Sequence, residues 1–394
     1  MRKLREPLWL KVTRILLACV FIFSGLTKAV DPLGFAIKVE EYFTSFNMAF
    51  MHPSAIYFAI LAITAEFVLG FMLLFRISVK LTSIGYLLFM LFFFFLTLWL
   101  AVAEHLELNY GYNFGVVHDC GCFGQAIKMS NLETFLKNVV FLIPTIIIFV
   151  KRRQIPDIRL TALGQLLLTL IGALLVCGLQ WYCGRNLPII DFSDWKKGKN
   201  IEQLFIDIPA QKEIVFIYKN MEDGSLATLT TEDLNTITDW QPNFYDVYEF
   251  IDRKDSITVQ GIKAPKQGFN MLDLTGIDHA PVLINQLKEA VYILFIHDLD
   301  DVNPKGIQSE ALQELILKCQ DEGVDFVAIT NSSEQEIEQF IAQNNITYPI
   351  YQNPIDHIKG PFIVRDAVRS NPGLILIKKG VVENKWAWRN FPNF

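Results

Sequence analysis

Five long apolar stretches before residue 184 constrain this chain more than any other feature of its sequence. A bilayer core requires about 20 consecutive, mostly apolar residues for each helical span. The stretches that meet this requirement are approximately 8–26, 54–75, 81–102, 135–150 and 160–182. They hold most of the apolar excess of a chain that is 52% hydrophobic, and the remainder has the composition of an acidic globular region. The pattern predicts five membrane-spanning helices in a lipid bilayer, followed by an extramembrane region.

The distribution of basic residues predicts the orientation of these spans. Lysine and arginine are concentrated before the first span, between the second and third, and after the fourth: Arg2, Lys3, Arg5, Lys11, Arg14, Arg76, Lys80, Lys151, Arg152 and Arg153. Residues 29–52 and 103–130 are less basic. By the positive-inside rule the N-terminus is cytoplasmic, and the chain after residue 184 lies outside. For a bacterial host, this predicts a multi-pass inner-membrane protein with a periplasmic C-terminal region.

The stretch "VVHDCGCFGQ", residues 116–125, lies on the same predicted outer side and carries the cysteines Cys120 and Cys122. Disulfides persist in such a compartment. The first interpretation is thiol–disulfide chemistry, because an exposed, strained disulfide is of the labile, catalytic kind. His118 could lower the pKa of a neighbouring thiol, and Asp119 would oppose this effect. A second interpretation is a soft-metal site made of His118, Cys120 and Cys122. A third is a structural disulfide or an inert turn.

Other polar residues of the spans are weaker candidates. Glu66 lies in the middle of the second span, where a charge usually has a reason. It would either pair with a bundle residue such as Lys38 or serve a proton relay or quinone site. Lys28 lies at the outer end of the first span, and residues 31–43 form an amphipathic segment typical of an interfacial or re-entrant helix. Cys183, at the outer end of the fifth span, is a possible electron relay.

Three stretches of the N-terminal region resemble the DoxX/MauE family of membrane proteins. They are "FSGLTKAVDPLGFAIKVEEYF" (23–43), "AEFVLGFMLL" (65–74) and "DCGCFG" (119–124), and the similarity covers roughly residues 8–152. The resemblance implies a four-helix membrane bundle associated with redox work, to which this chain adds a fifth span. Cys120 and Cys122 take the cysteine positions of the family motif. The supporting candidates Lys28, Lys38, Glu41 and Glu66 fall in its other recurring stretches, without an established catalytic role.

The region after residue 184 has two sequence patterns. Residues 185–258 are β-rich, with a hairpin turn at Glu222–Gly224 and a strand predicted from residue 244, and residues 259–394 alternate strands and helices. One amphipathic helix is predicted over 305–323, with apolar residues at helical spacing (Leu312, Leu315, Ile316 and Cys319), and a capping box of Ser333 and Glu336 predicts the start of the next helix.

The second pattern resembles the thioredoxin fold of membrane-tethered, peroxiredoxin-like and TlpA-like proteins, and Asn371–Pro372 falls where such proteins carry a cis-proline. However, "HDLDDVNPKG" (297–306) stands where they carry Cys-x-x-Cys. Thiol exchange requires a thiolate, so this predicts a redox-inactive docking module. His297, Asp298, Asp300 and Asp301 could bind a hard cation, although acidic loops are commonly only solvated.

The predicted fold class is thus multi-domain, with an α-helical membrane bundle followed by an α/β thioredoxin-like domain. The expected divisions are 1–155 (bundle), 156–184 (fifth helix), 185–258 (β-rich segment) and 259–394 (thioredoxin-like domain). The predicted function is thiol–disulfide exchange at the periplasmic face. A quinone is a possible cofactor and none is certain. Periplasmic thiol proteins or an oxidoreductase are possible partners.

Two alternatives remain, a non-catalytic scaffold that recruits a partner and a metal-handling protein. Nucleic acid is excluded as a partner because the net charge is -6 and no basic stripe is present.

Overall fold

The computed structural model describes residues 6–112, 114, 117, 120–127, 129–207, 211–240, 243–259, 263–266, 268–354 and 362–392. Its first part is a helical bundle. The elements in chain order are α1 (Leu8–Val30), α2 (Pro32–Ser45), α3 (Ala55–Phe75), α4 (Val79–Tyr110), the short strand β1 (Cys122–Gln125), α5 (Asn131–Lys151) and α6 (Ala162–Arg185). Short 3-10 helices at Ala49–Ser54 and Arg152–Gln154 precede α3 and follow α5.

Within the described part of the chain, five helices are long and apolar enough to cross a membrane: α1, α3, α4, α5 and α6. Large apolar side chains cover their outward faces, including Phe92 and Phe95 on α4 and Leu174 on α6, which are all exposed. Soluble proteins rarely expose apolar surface on this scale. The five predicted spans are therefore confirmed, each with somewhat different ends.

One end of the bundle carries both α2 and β1, and we call it the motif face. The predicted amphipathic segment forms α2, which packs against α3. Pro32 opens this helix, and the carboxylate of Asp31 caps it by accepting a hydrogen bond from the backbone N–H of Gly34 at 2.9 Å. β1 lies between α4 and α5 and packs against α1 and α2. The cysteine motif is thus held by the helices that carry the other candidate residues.

The chain after α6 is an α/β region. Its elements are α7 (Glu202–Phe205), β2 (Gln211–Asn220), β3 (Leu226–Thr230), α8 (Thr231–Trp240), α9 (Phe244–Val247), β4 (Tyr248–Val259), α10 (Ala280–Leu283), β5 (Val291–Ile296), α11 (Pro304–Ile307), α12 (Glu310–Glu322), β6 (Asp325–Thr330), α13 (Glu334–Asn344), β7 (Ile350–Gln352), α14 (Phe362–Ala367), β8 (Gly373–Lys378) and β9 (Val381–Ala387), followed by a 3-10 turn at Trp388–Asn390.

These strands form two sheets among the described residues. β2 pairs with β3 and β4 in a three-stranded antiparallel sheet, around the predicted hairpin turn. The second sheet is mixed, in the order β7-β6-β5-β8-β9, with β5, β6 and β7 parallel and β8 and β9 antiparallel. The predicted fold class, an apolar helical region followed by an α/β region, is confirmed.

The five-stranded sheet has an apolar core on each face, and helices contribute to both: α12 and α13 to one, α10 and α14 to the other. Leu312, Leu315 and Ile316 of α12 fill one face, at the spacing the sequence predicts. Trp195, from before α7, fills the other and packs against Phe205, Phe269 and Phe295. The expected division between residues 258 and 259 stays a prediction. Trp195 lies before that division and packs into the core of the five-stranded sheet.

Two local predictions are wrong. The sequence indicated a strand from residue 244, but Phe244–Val247 form the helical turn α9 and the strand begins at Tyr248. One helix was expected over 305–323, but it is interrupted between α11 and α12. The hydroxyl of Ser309 caps α12 by accepting from the backbone N–H of Leu312. The predicted capping box of Ser333 and Glu336 is confirmed at the start of α13.

Candidate functional site

The cysteine motif is anchored to the bundle from two sides. The hydroxyl of Ser24, on α1, donates a hydrogen bond to the carbonyl oxygen of Cys122 at 2.7 Å. The hydroxyl of Tyr42, on α2, donates to the carbonyl oxygen of Cys120 at 3.3 Å. Because backbone atoms make both contacts, they fix the path of the motif and leave both thiols available for chemistry.

Gly121, between the cysteines, is required by its backbone and by its surroundings. Its φ is +65°, in the left-handed region that only glycine adopts at little cost. A side chain there would also begin 3.2 Å from Cγ of Lys38. Glycine at this position therefore permits both the backbone conformation and the close approach of Lys38 on α2.

The two thiols have unequal surroundings. Both are free, but Cys120 is buried whereas Cys122 is partly exposed. The Cys120 thiol hydrogen-bonds the Cys122 sulfur. This bond lowers the pKa of Cys122 to about 6, against the opposing effect of burial and with help from the charges of Lys137 and Lys28. The same bond and burial raise the pKa of Cys120. Cys122 is therefore the thiol that ionises first.

A buried ion pair lies beside the motif. Nζ of Lys28, on α1, lies 2.6 Å from a carboxylate oxygen of Glu66, on α3, with the two side chains 5% and 10% exposed. Lys28 also donates to the hydroxyl of Ser24 at 2.9 Å, and that hydroxyl donates to Cys122. A continuous polar chain thus joins Glu66 to the motif. The expected pairing of Glu66 with Lys38 is wrong, because the α1–α3 contact brings Lys28 to it instead.

Lys38 and Glu41 form a second ion pair on α2, one turn apart, with their charged atoms 2.8 Å from each other. Both side chains are partly exposed, and Lys38 lies against Gly121. The structure thus brings all four supporting candidates, Lys28, Lys38, Glu41 and Glu66, to the surroundings of the cysteine motif.

The remaining predicted residues are His118, Asp119, Cys183 and those of the acidic loop that begins at His297. His118 and Asp119 lie outside the described residues, so their roles in thiol or metal chemistry stay predictions. Cys183 is buried at the end of α6, near Asp31. Its proposed relay to the motif stays a prediction. Among the described residues, no group of three or more histidine, cysteine, aspartate or glutamate side chains could hold a metal ion, and this includes His297, Asp298, Asp300 and Asp301.

A narrow cavity in the bundle reaches the exposed side of Cys122. Its polar lining is Ser24, Lys28, Glu66, Cys122, Lys137 and Asn138, and its apolar lining is Val20, Phe21, Phe89, Met90, Phe93, Phe123 and Phe141. It has room for about 40 Å³. A water molecule needs roughly 10–15 Å³ by the same measure, so the cavity can hold a few waters. Cys122 therefore faces a small chamber inside the bundle, with polar side chains and phenylalanine rings in its lining.

Lys137, on α5, is a residue of this chamber that sequence reasoning missed. Its Nζ lies 4.6 Å from the centroid of the Phe123 ring, a cation–π contact, and it hydrogen-bonds the Cys122 side chain. A signal was present, because "FLKNVVFLIPTIIIFV" places a lysine inside an otherwise apolar span. The sequence does not show which way that lysine faces.

The α/β region docks on the motif face through polar contacts, which we call the docking contact. Arg369 makes a two-pronged ion pair with Asp31, at 3.1 Å, and its side chain is 4% exposed. Arg365 pairs with Glu40 at 2.6 Å. The amide of Gln125, in the motif strand, donates to Asp366 at 3.2 Å. The docking contact therefore reaches the cysteine motif itself.

His297 lies behind the docking contact, directly after β5. Burial and the nearby charge of Arg365 lower its pKa to about 3, so the ring is neutral. Its Nε2–H donates to the carbonyl oxygen of Val368 at 2.8 Å. The peptide bond between Asn371 and Pro372 is cis, at the position the resemblance predicted. Through the bond to Val368, this end of the sheet positions the segment that carries Arg369. Residues 297–306, at the same end, contain no cysteine.

Comparison with known proteins agrees with the predicted resemblance. Residues 7–151 match the family described as "Methylamine utilisation protein MauE". The chain is also 24% identical over 182 residues to "Protein TlpB" of Flavobacterium psychrophilum, an alignment that covers 46% of this chain and 47% of the relative. The chain thus spans about half the length of that curated relative. No solved structure matches the chain. The match covers only the N-terminal part of the chain: residues 7–151 are similar to MauE, and the five apolar helices indicate a multi-pass membrane protein.

Proposed function

We propose that this MauE-like membrane protein carries out thiol–disulfide exchange through Cys120 and Cys122. The observation that carries the proposal is the unequal pair of free thiols at the motif face. One is ionisable near neutral pH and faces a lysine-lined chamber, and the other is buried within hydrogen-bonding reach of it. Such an arrangement provides an attacking sulfur and a resolving sulfur. The protein would thus be a thiol–disulfide oxidoreductase.

The exchange has two steps. The Cys122 thiolate attacks one sulfur of a partner disulfide, which forms a mixed disulfide and releases one partner thiolate. Cys120 then loses its proton and attacks the Cys122 sulfur, which releases the second partner thiolate and leaves a Cys120–Cys122 disulfide. Two electrons have moved to the partner, which leaves as a dithiol once its thiolates take up protons. The reverse sequence oxidises a partner dithiol.

The proposal includes the side of the membrane. The basic residues that predict the cytoplasmic side, such as Arg76 after α3 and Lys151 at the end of α5, stand at the helix ends opposite the motif face. By this argument the motif face and the α/β region are periplasmic and the membrane is the inner one. Partner proteins with exposed thiols or disulfides would reach the motif there.

A trapping experiment tests the exchange. In the variant Cys120→Ser, the mixed disulfide formed by Cys122 has no resolving thiol, so a partner should accumulate in a reducible adduct on non-reducing gels. Cys122→Ser should trap little, because Cys120 is buried and ionises less readily. Cys319→Ala, in the core of the α/β region, is the control and should behave as wild type. If neither serine variant traps a partner and both keep activity, the exchange proposal fails.

Coupling to a membrane quinone is a further part of the proposal. A quinone would supply an acceptor for two electrons and two protons. The residues of the chamber suit such a ligand chemically, since Lys28, Lys137 and Asn138 offer donors among aromatic rings. The present room of about 40 Å³ suits waters better than a quinone ring. The exchange steps above therefore do not depend on a quinone.

The redox state of the cysteine pair tests this coupling. In isolated membranes, oxidising the quinone pool should raise the fraction of protein with a Cys120–Cys122 disulfide, measured by thiol alkylation and mass shift. Reducing the pool should lower it. A soluble thiol oxidant, added to membranes with a reduced pool, is the control and should oxidise the pair directly. A pair that responds to the soluble oxidant but not to the pool would contradict quinone coupling.

The docking contact favours a second candidate function, a non-catalytic scaffold. A sheet end without cysteine at 297–306, held on the motif face by two ion pairs, would suit a protein that recruits a partner enzyme. The double variant Cys120→Ser/Cys122→Ser separates the two functions. Partner assembly that persists without both cysteines supports the scaffold, and assembly that is lost with them supports exchange.

A further inference from the structure

Lys137 is an unusual residue for its position. α5 begins at Asn131, so Lys137 lies on its second turn, roughly 9 Å along the helix axis. It faces the chamber, together with Cys122 and Asn138. A lysine at membrane depth requires a partner for its charge.

The two lysines near Cys122 differ in how their charges are balanced. The charge of Lys28 is matched by Glu66, at 2.6 Å. Lys137 contacts the Phe123 ring and the Cys122 side chain, and no carboxylate of the described residues pairs with it. Among the described residues that Lys137 contacts, Cys122 is therefore the one whose side chain can carry a negative charge.

We propose that Lys137 is a positioning residue that, together with the hydrogen bond from Cys120, holds Cys122 as the thiolate and so supports its role as the attacking sulfur. The pairing of Lys137 with Cys122 stands on the contacts above, and only its use in exchange rests on the proposed function. When Cys122 enters a disulfide, its charge disappears and Lys137 loses its partner. Lys137 therefore favours the dithiol form and makes the disulfide a stronger oxidant, since stabilising the reduced form raises a reduction potential.

The other charged and titratable groups around Cys122 act alongside Lys137. They are Cys120 on the same loop, Lys28 on α1, Glu66 on α3 behind Lys28, and Lys38 with Glu41 on α2. The hydrogen bond from Cys120 has the largest effect on the Cys122 pKa, and Lys137 has a larger effect than Lys28. Removing Lys137 should therefore raise the ionisation midpoint of Cys122 without returning it fully to that of a free cysteine.

The pH dependence of alkylation at Cys122 tests the inference directly. The full-length protein is treated with iodoacetamide between pH 4 and 9, and the rate at Cys122 is followed by mass spectrometry of its peptide. The wild-type midpoint should lie near 6. Lys137→Met should raise it, and each unit of rise makes alkylation below the midpoint about ten-fold slower. Lys137→Arg keeps the charge and should stay near the wild-type midpoint.

Lys151→Met is the matched control, because it makes the same substitution at the far end of the same helix. It should leave the midpoint unchanged. If Lys137→Met does not fold, Lys137→Gln removes the charge with a polar side chain and gives the same comparison. An unchanged midpoint in a folded, charge-free variant overturns the inference. This outcome is distinct from a failure of the trapping experiment, which would end the exchange proposal while leaving the Lys137–Cys122 pairing in place.

Discussion

Replacing Glu66 with leucine should be among the most destabilising single changes in the bundle. The variant leaves the ammonium of Lys28 buried, 5% exposed, without a carboxylate. Removing one partner of a buried ion pair costs about 3–5 kcal/mol, because the remaining charge is uncompensated. The loss should be measurable as a lower free energy of unfolding of the purified protein in bicelles. The hydrogen bonds from Lys28 to Ser24 and from Ser24 to Cys122 should also weaken, because Glu66 no longer holds Lys28 in place.

Two comparisons show whether burial is the cause. The double variant Lys28→Met/Glu66→Leu removes both charges and should recover most of the lost stability. Glu41→Leu breaks the Lys38–Glu41 pair on the same face, where both side chains are nearly a quarter exposed, and should cost at most about 1 kcal/mol. A Glu66→Leu variant as stable as Glu41→Leu would show that the Lys28–Glu66 pair is not the buried pair described.

The second large effect is expected at Arg369, the centre of the docking contact. Arg369→Met should release the α/β region from the motif face, because Asp31 loses its two-pronged ion pair with Arg369. Asp366 also loses its ion pair with Arg369. The cost is again of the order of 3–5 kcal/mol for a side chain this buried. Backbone hydrogen exchange should become faster in α2 and in β1, the two elements that the contact covers.

Two other arginines calibrate this result. Arg365→Met removes the pair with Glu40, in which the arginine side chain is 32% exposed, and should have a smaller effect. Arg389→Met lies in the same region but contacts the backbone of Arg185 at the exposed surface, and should leave exchange in α2 unchanged. Equal exchange in α2 for Arg369→Met and wild type would mean that the docking contact does not hold the α/β region in place.

Much of the fold was predictable because its signals are local. An apolar run of about 20 residues is visible without any partner, and so are the capping box at Ser333 and the hairpin at Glu222–Gly224. The wrong strand start at residue 244 and the unbroken helix over 305–323 have a common cause. Strand and helix periodicity continue across both places, and only the caps and the packing decide where an element ends.

The candidate site was predictable in part. The cysteine motif, Lys28 and Glu66 were identified from residue type and position, the resemblance grouped them with Lys38 and Glu41, and the structure brings them together. The partner of Glu66 was not identified correctly, because the sequence does not distinguish Lys28 from Lys38 as a partner. The packing of α1 against α3 places Lys28 beside Glu66. Lys137 was missed because hydropathy treats a lysine in a span as a charge and says nothing about its direction.

The sequence by itself determined the membrane-spanning helices, the position of Cys120 and Cys122 between two of them, and the absence of cysteine from residues 297–306 of the α/β region. These properties depend on residue type and on spacing along the chain. Only the tertiary structure decided which charges meet: Lys28 with Glu66, Lys137 with Cys122, and Arg369 with Asp31, 338 residues away. The physical reason is that such pairs depend on helix rotation and domain docking, which are set by the packing of many side chains at once.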